Sequence, residues 1–390
     1  MNLVVFLMRN MSLAYFERIG MFEREMALYR ALRQHGVRTT LVTYGGREDL
    51  RFAHRLPGIR ILCNWPGWPR EAYERRLVWL HAPWLMRADV IKADQTDGAE
   101  VAVWSARRWR KPVVARCGFL WVQFAERQFG VDSPESREAE RVSRMVFSQA
   151  QGMVVTTSVM KSEVMRSFGV REDRIVVVPN YVDTGLFRPD PSVAGDPNRV
   201  LAIGRLHPEK NHIALIEAVG GTGFQLILVG SGAEETALRR RAAELKADVQ
   251  FLGNRPHNEL PALIRSCGLF AQPSLIEGHP KTILEAMACG AAVLGADVPG
   301  IRETIRHGET GWLCAPTAPA VREAMAVLLK DSVLRKRLGD NACQEVQQNC
   351  SLDRVATLEA AVYQRVLTAG QGVRPVFTSR GISPKEGRAS

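Results

Sequence analysis

Short runs of β-branched and aliphatic residues alternate along the chain with longer stretches in which apolar positions recur every three or four residues. The short runs suit strands buried in a parallel sheet, and the stretches between them suit helices that cover it. The predicted strands of the first half are 3–8, 37–44, 89–93, 112–117, 152–157 and 174–180. Those of the second half are 199–204, 224–230, 249–253, 269–274 and 291–296. The pattern predicts an α/β protein with two similar halves.

The length of 390 residues favours two domains, because a single hydrophobic core rarely grows that large. Residues 187–199 contain three prolines and no apolar period, which is typical of a linker. The end of the chain is polar and punctuated by Gly and Pro, a composition that favours disorder. The predicted parts are an N-terminal domain (1–188), a linker (189–198), a C-terminal domain (199–350), a helix crossing back to the first domain (351–369) and a disordered tail (370–390).

Composition narrows the class of protein. Apolar residues make up 46% and charged residues 24%, the balance of a globular protein, and no apolar run reaches the roughly 18–20 residues that span a bilayer. The opening NLVVFLM is short, is followed by Arg9 and lacks a small-residue cleavage site, so it predicts a buried first strand. Seven scattered cysteines without C-x-x-C predict free thiols, a cytoplasmic location, and neither disulfides nor a zinc site.

The positive charge is concentrated in the first half. Residues 1–190 contain 29 Lys and Arg against 21 Asp and Glu, a net charge of +8, and the whole chain carries +11. Such a surface attracts anionic lipid, nucleic acid or phosphorylated substrates. Charge alone does not choose among these partners.

The stretch EGHPKTILEAMACGAAV (277–293) places a Gly/Pro turn between a predicted strand and a helix. We expect the helix to begin at Pro280 and to end at Gly290. Its free N–H groups would then lie over the carboxyl edge of the sheet, where an anion binds favourably. Glu277 and Glu285 would flank that site and could accept hydrogen bonds from the hydroxyls of a sugar or a ribose. Solvated charges on a surface helix are the alternative.

A second motif, IGRLHPEKN (203–211), follows a predicted strand. Arg205 offers a planar fork of donors and Lys210 a mobile point charge, a pair that suits a pyrophosphate. Asn211 is expected to cap the next helix. The alternative is a solvated loop, in which either cation alone is an ordinary surface side chain. Together with the glutamate motif on the same sheet edge, the pair favours a binding site.

In combination these motifs resemble glycosyltransferase family 4, a retaining group with the GT-B architecture of two Rossmann-like domains facing each other across a cleft. The resemblance is carried by GRLHPEK, FLGNRP (251–256), EGHPKTILEAMACG and HGETGWLC (307–314), and more loosely by GMFEREMALYRALRQHG (20–36) and VVPNYVDTGLFRP (177–189). It implies an enzyme that transfers a sugar from a nucleotide-diphosphate sugar to a carbohydrate or lipid-linked acceptor, such as an intermediate of a surface polysaccharide.

The resemblance also implies roles for single residues. Arg205 and Lys210 would hold the diphosphate, Glu277 would orient the donor sugar, and Glu285 would bind the ribose. Main-chain N–H groups of the stretch His279, Lys281, Thr282 and Ile283 would help Glu277 to hold the donor sugar. The backbone around Arg255 would face the base, and Gly20 would let the N-terminal loop approach the phosphates from across the cleft.

Two positions depart from the family pattern. Ile19 precedes the single Gly20, where the family usually has a Gly-Gly pair. Cys117, within VVARCGF, stands where many members have a histidine. A thiol is a poor partner for a sugar hydroxyl, so Cys117 is interpreted as a core residue, with Arg116 or Asp94 taking the role in the cleft.

No metal or other cofactor is expected. The chain has neither D-x-D nor H-E-x-x-H, and cations with helix N–H groups can absorb the leaving charge of a departing diphosphate. The resemblance implies attack of the acceptor on the leaving-group face, without an obligatory enzyme nucleophile. Closure of the domains would exclude water.

Residues 63–87 are the stretch considered for binding the acceptor. They contain four tryptophans among Arg, Glu and His. Arg75, Arg76 and Trp79 beside Leu77, Val78 and Leu80 could form a helix lying in an anionic membrane interface. A core helix with arginines reaching to solvent is the alternative.

Three other functions are weighed against the transferase. A catalytically idle GT-B partner that only binds a nucleotide sugar is the main rival, since the altered histidine position allows it. A dinucleotide-dependent oxidoreductase lacks its G-x-G-x-x-G after the first strand, where the chain reads RNMSLAYF. Nucleic-acid binding is not expected, because no recognition module is visible.

Overall fold

The computed structural model describes residues 1–372. The strands are β1 (Asn2–Phe6), β2 (Arg38–Val42), β3 (Arg60–Leu62), β4 (Val90–Ala93), β5 (Val113–Cys117), β6 (Gly152–Val155), β7 (Ile175–Val177), β8 (Asp196–Ile203), β9 (Gln225–Val229), β10 (Val249–Gly253), β11 (Cys267–Gln272), β12 (Val293–Ala296) and β13 (Trp312–Cys314).

The α-helices of the first half are α1 (Leu13–Arg18), α2 (Phe22–Ala31), α3 (Arg70–Leu80), α4 (Ala82–Met86), α5 (Ala99–Trp109), α6 (Trp121–Phe129), α7 (Pro134–Gln149) and α8 (Ser158–Phe168). Those of the second half are α9 (His212–Val219), α10 (Glu235–Glu244), α11 (Leu260–Arg265), α12 (Lys281–Ala288), α13 (Pro299–Arg302), α14 (Ala318–Lys330), α15 (Ser332–Asn349) and α16 (Leu352–Gly372). Short 3-10 helices lie at Leu32–His35, Arg47–Arg55, Glu172–Arg174, Pro208–Lys210 and His257–Glu259.

The strands form two separate parallel sheets. The first has the order β3-β2-β1-β4-β5-β6-β7 and the second the order β10-β9-β8-β11-β12-β13. In each sheet the order reverses direction beside the first strand of the domain, which places the loops after neighbouring strands around a crevice at the carboxyl edge. The predicted α/β class with two Rossmann-like halves is confirmed.

Both faces of the first sheet are covered by helices. Along β1, Leu3 and Val5 pack into the core that contains α2 and α16, whereas Val4 and Phe6 pack into the core that contains α3, α5 and α7. Because alternate side chains enter opposite cores, the strand reads as one continuous apolar run. The prediction that the opening residues form a buried strand is confirmed.

Several boundaries differ from the expected ones. The three-residue strands β3 and β13 were not predicted, because so short a run carries little periodicity. Strand β8 begins at Asp196, inside the expected linker, because residues 196–201 pair with β11. Helix α12 begins at Lys281, with Pro280 as an extended N-cap residue, rather than at Pro280. Gly290 follows α12 at a φ of 74°, as expected.

Helix α16 returns to the first domain after the chain has completed the second sheet. Its buried residues, among them Val355, Ala360 and Tyr363, belong to the same core as Leu3 and Val5. The helix ends at Gly372, three residues beyond the predicted end, and the rest of the predicted tail lies outside the described residues.

All seven cysteines are free thiols, and Cys117 is fully buried with its Sγ donating to the carbonyl of Phe119. The predictions of free thiols and of a core role for Cys117 are therefore confirmed. Across residues 1–372 no helix has the length and apolarity needed to cross a bilayer.

Candidate functional site

A cleft of about 1140 Å³ lies between the two domains. Its walls come from loops that follow strands of both sheets, including the loop after β5 in the first domain and the loops after β8 and β11 in the second. The second domain contributes mostly charged and polar side chains. The first contributes a largely apolar wall made by Met8, Tyr15, Phe119, Leu120, Trp121, Phe124, Val159 and Met160.

Lys210 and Glu277 meet at the polar wall. The Lys210 Nζ and the Gln272 Nε2 each lie 2.5 Å from Glu277 Oε1, and the Glu277 side chain is only 10% exposed. Gln272 is in turn fixed by Thr282, whose Oγ1 donates to Gln272 Oε1 at 2.7 Å. The structure therefore brings together the two predicted motifs and orients Glu277 through a glutamine that the sequence did not reveal.

Arg205 lies in the loop after β8, lines the same cleft and is exposed. Within residues 1–372 its guanidinium makes no ion pair or side-chain hydrogen bond, so its donors are free for a ligand. The start of α12 faces the cleft through Lys281 and Thr282, and the first N–H of this helix with a main-chain partner is that of Leu284. The preceding N–H groups are thus unpaired, as is usual for a helix start. The Ile283 side chain is buried in the core, so this residue can contribute only its N–H.

Glu285 does not line the cleft. Its side chain is 3% exposed, and its Oε1 lies 2.9 Å from His257 Nε2 and 3.8 Å from Arg24 Nη1. Its Oε2 is buried without a hydrogen-bond partner in the described structure. His257 does line the cleft, so Glu285 is separated from it by one imidazole.

Lys281 joins the two domains. Its Nζ lies 2.9 and 3.1 Å from the carboxylate oxygens of Glu25 on α2, and 5.4 Å from the centroid of the Tyr181 ring. Burial lowers the pKa of Lys281, and Glu25 opposes that shift. Burial alone would raise the pKa of Glu25, but Lys281 and Arg24 outweigh it and lower the pKa to about 2. The Lys281 side chain is therefore engaged across the domain boundary, leaving its N–H for a ligand.

Gly20 and Arg255 meet across the cleft. Gly20 has a φ of 72°, and a Cβ placed there would lie 3.3 Å from the carbonyl oxygen of Arg255. A side chain at position 20 would be both strained and crowded. Gly20 therefore allows this loop to pass close to the backbone of Arg255, whereas the expected approach to the phosphates stays a prediction.

Two expectations at this site are wrong. Arg116 is buried and bonded to Glu359 and Asn180, and Asp94 accepts from the Tyr29 hydroxyl at 2.6 Å, so neither lines the cleft in place of a histidine. Asn211 has a φ of 55° and does not cap α9. Its side chain donates to the carbonyls of Pro273 and Pro316, because it joins the loops after β11 and β13.

Residues 1–372 contain no group of three or more His, Cys, Asp or Glu placed to hold a metal ion.

The chain matches two family models that meet near the domain boundary. Residues 25–186 match "Glycosyltransferase Family 4" and residues 184–345 match "Glycosyl transferases group 1".

Related proteins of known name are glycosyltransferases. The D-inositol 3-phosphate glycosyltransferase of Nocardia farcinica is 30% identical over 312 residues, covering 73% of this chain and 68% of the relative. The phosphatidyl-myo-inositol mannosyltransferase of Mycobacterium leprae is 27% identical over 307 residues, covering 75% of this chain and 78% of the relative. The crystal structure of Anabaena HepE in complex with UDP superposes with a TM-score of 0.74 at 19% identity, over 94% of this chain and 100% of that one. The chain belongs to the group 1 family of glycosyltransferases and has the GT-B fold.

Proposed function

We propose that the protein transfers a sugar, with retention of anomeric configuration, from a nucleoside-diphosphate sugar bound in the interdomain cleft. The observation that carries the proposal is the convergence of Arg205, Lys210 and the free N–H groups of α12 beside the oriented carboxylate of Glu277. Positive groups suit a diphosphate, and a carboxylate suits sugar hydroxyls. The UDP in the HepE structure supports a nucleotide donor.

Glu285 is proposed to bind the ribose. Its Oε2 is a buried acceptor without a partner in the described structure, and an unmade hydrogen bond of this kind costs about 1–3 kcal/mol. A ribose hydroxyl would satisfy it once His257, which lines the cleft, moves aside. The backbone near Arg255, close to Gly20, is proposed to face the base.

The first domain is proposed to bind the acceptor, a carbohydrate or a lipid-linked sugar. Its wall of the cleft carries Phe119, Trp121 and Phe124, and aromatic faces pack well against sugar rings and apolar chains. The acceptor hydroxyl would attack on the face from which the diphosphate leaves, and the closed domains would exclude water.

We propose further that the first domain docks on the cytoplasmic face of an anionic membrane. Leu77 and Val78 of α3 are buried, so the expected interfacial face cannot include them. Trp79 (59% exposed) and Trp104 (45%) are nevertheless exposed.

Arg75 and Trp79 are four residues apart on α3, and Trp104 and Arg108 are four apart on α5. Arg108 lies 4.5 Å from the centroid of the Trp79 ring and so links the two pairs. We call these four residues the tryptophan–arginine patch.

A thermal-shift screen with UDP-, GDP- and ADP-sugars tests the donor class, since a ligand that binds only the folded protein raises its Tm. Hydrolysis of the donor that shifts Tm then separates an active transferase from an idle sugar-nucleotide-binding partner. If none of these nucleotide sugars shifts Tm, the donor assignment is wrong.

Arg205→Ala and Lys210→Ala should each reduce kcat/KM for the donor. Losing one charge-assisted contact to phosphate costs about 1.5–3 kcal/mol, which is roughly a 10- to 150-fold loss. Arg205 is exposed and Lys210 is bonded to Glu277, so only Lys210→Ala should also lower Tm. The exposed Arg240→Ala serves as a matched control. Turnover like the wild type in both variants would remove the diphosphate assignment.

Glu277→Gln should leave nucleotide affinity nearly unchanged while slowing transfer, because a neutral amide is a weaker acceptor for the sugar hydroxyls than a carboxylate. Glu285→Ala should instead weaken nucleotide binding. Titration calorimetry with the free nucleoside diphosphate and steady-state kinetics with the sugar donor separate the two effects. The reverse pattern would mean that the two roles are exchanged.

Transfer should survive excess EDTA with little loss. Arg205, Lys210 and the start of α12, which is equivalent to roughly half a positive charge, are the groups proposed to stabilise the departing diphosphate in place of a metal ion. Product formation is followed with and without chelator at constant ionic strength. A rate that collapses in EDTA and returns with Mn²⁺ would contradict neutralisation by protein groups alone.

The tryptophan–arginine patch should bind vesicles that contain phosphatidylglycerol, and added salt should weaken the binding. Co-sedimentation of Trp79→Ala/Trp104→Ala should show less bound protein at every lipid concentration, because the interfacial aromatic anchors are lost. Val333→Ser, an exposed apolar residue at the start of α15, is the control. Equal binding by both variants and the wild type would rule out docking through this patch.

A further inference from the structure

The loop between β11 and α12 is held by the first domain at a residue next to the site. The main-chain N–H of Asn180 donates to His279 Nδ1 at 2.9 Å, and the Asn180 side-chain Nδ2 donates to the His279 carbonyl oxygen at 2.6 Å. His279 lies two positions after Glu277 and lines the cleft. One asparagine thus grips both the side chain and the main chain of the loop that carries Glu277.

Asn180 is itself fixed from the core of the first domain. Arg116 Nη2 donates to Asn180 Oδ1 at 2.7 Å, and Arg116 Nη1 donates to Glu359 Oε1 at 3.2 Å. Glu359 also accepts from Lys92 Nζ, which lies 3.1 Å from both carboxylate oxygens. Because Arg116 can only donate, the Asn180 amide oxygen must face it and the amide nitrogen must face His279. Hydrogen bonds therefore link Glu359 on α16, through Arg116 and Asn180, to the loop between β11 and α12.

These contacts determine where the His279 imidazole carries its proton. Nδ1 accepts a hydrogen bond from an N–H group, so a neutral ring bears its proton on Nε2. Burial, reinforced by the charge of Arg116, lowers the pKa of His279 to about 4 and keeps the ring neutral near pH 7. Within residues 1–372 Nε2 makes no hydrogen bond. His279, which lines the cleft, therefore carries a neutral N–H that has no partner in the described structure.

The loop also has no room to move towards the first domain. A Cβ at Gly278 would lie 2.8 Å from the carbonyl oxygen of Gly118 in the loop after β5. Real Cβ atoms do not approach a backbone oxygen so closely, so the two loops touch at a glycine. The loop is held by packing on one side and by Asn180 on the other.

We propose that Asn180 is a positioning residue that latches the Glu277 loop to the first domain and presents His279 Nε2–H to an oxygen atom of the bound nucleotide sugar. The ligand class rests on the proposed function, whereas the latch does not. The domains can rotate only by breaking these two hydrogen bonds or by moving Asn180 with the second domain. The latch thus couples the placement of the second domain against the first to the orientation of Glu277.

The latch is tested without any ligand. In protein labelled with ¹⁵N-histidine, NMR at pH 7 should identify His279 as the Nε2–H tautomer, assigned by its loss in His279→Gln. In Asn180→Ala, the main-chain N–H of residue 180 remains, but the side-chain hydrogen bond to the His279 carbonyl is lost. Hydrogen exchange of the Leu275 and Leu284 amides, whose hydrogen bonds lie at the two ends of the loop, should therefore quicken about tenfold. Asn198→Ala, at an exposed position of β8, is the matched control. An Nδ1–H tautomer, or exchange in Asn180→Ala equal to the control, would overturn the latch.

The role of His279 Nε2 as a hydrogen-bond donor is tested with two substitutions. Each of them keeps one of the two hydrogen-bonding positions of the imidazole. Glutamine can place an N–H near the position of Nε2, whereas asparagine keeps an acceptor near Nδ1 and leaves no donor in the cleft. With the donor accepted from a panel of UDP-, GDP- and ADP-glucose, His279→Gln loses the acceptor for the Asn180 N–H but keeps a donor in the cleft, so its kcat should exceed that of His279→Asn. His279→Asn should lose about tenfold, the value of one hydrogen bond.

Equal kcat values for the two His279 variants would overturn the contact with the donor. If wild-type protein turns over none of the panel, the proposed function fails for these donors while the NMR and exchange results still decide the latch. If Asn180→Ala does not fold, the tautomer of the wild type and the His279 pair decide the proposal, because they leave Asn180 and Arg116 in place.

Discussion

The carboxylate of Glu359 is the charge on which the connection between the two domains depends. It is fully buried, and it is paired with Lys92 and Arg116 and accepts from the Tyr363 hydroxyl at 2.5 Å. Burial alone would raise the pKa of Glu359, but Lys92 and Arg116 outweigh that effect and lower it. A buried carboxylate without these partners would be very costly, so α16 docks in one register on the first sheet.

Docking of α16 means that the chain crosses between the domains twice. The outgoing crossing follows β7 and the returning one precedes α16, and the two lie side by side where Val182 exchanges main-chain hydrogen bonds with Cys350 and Leu352. These two segments are the covalent connections between the domains within residues 1–372. Asn180 lies two residues before Val182, so the residue that bonds to His279 stands next to one of the two connections.

The contacts between the two domains use groups that also belong to the proposed donor site. Lys281 pairs with Glu25, Arg24 approaches Glu285, and the Glu303 carboxylate accepts from the N–H groups of Ser158 and Val159 at the start of α8. A carboxylate at a helix N-terminus is favourable, and it holds the first domain against the edge of the second. Since Glu285 and the start of α12 belong both to the domain interface and to the proposed donor site, the proposal implies that donor binding and the contact between the domains are linked by electrostatics. The apolar wall of the first domain takes little part in this charge balance, which suits it to a different ligand.

Local sequence determined the classes of element and the residues at the carboxyl edge of the second sheet. Parallel strands buried on both faces read as apolar runs, and turn chemistry placed Arg205, Lys210 and Glu277 directly after strands. Only the tertiary structure decided what those side chains contact. Gln272 orients Glu277, His257 lies between Glu285 and the cleft, and Glu25 forms an ion pair with Lys281. Each of these contacts joins residues that are distant in the chain or lie on different elements. The same reason explains the wrong expectations for Arg116, Asp94 and Asn211: a polar side chain has several possible partners, and the fold selects among them by distance. Periodicity records which face of an element is buried, but it carries no information about which polar groups will meet there.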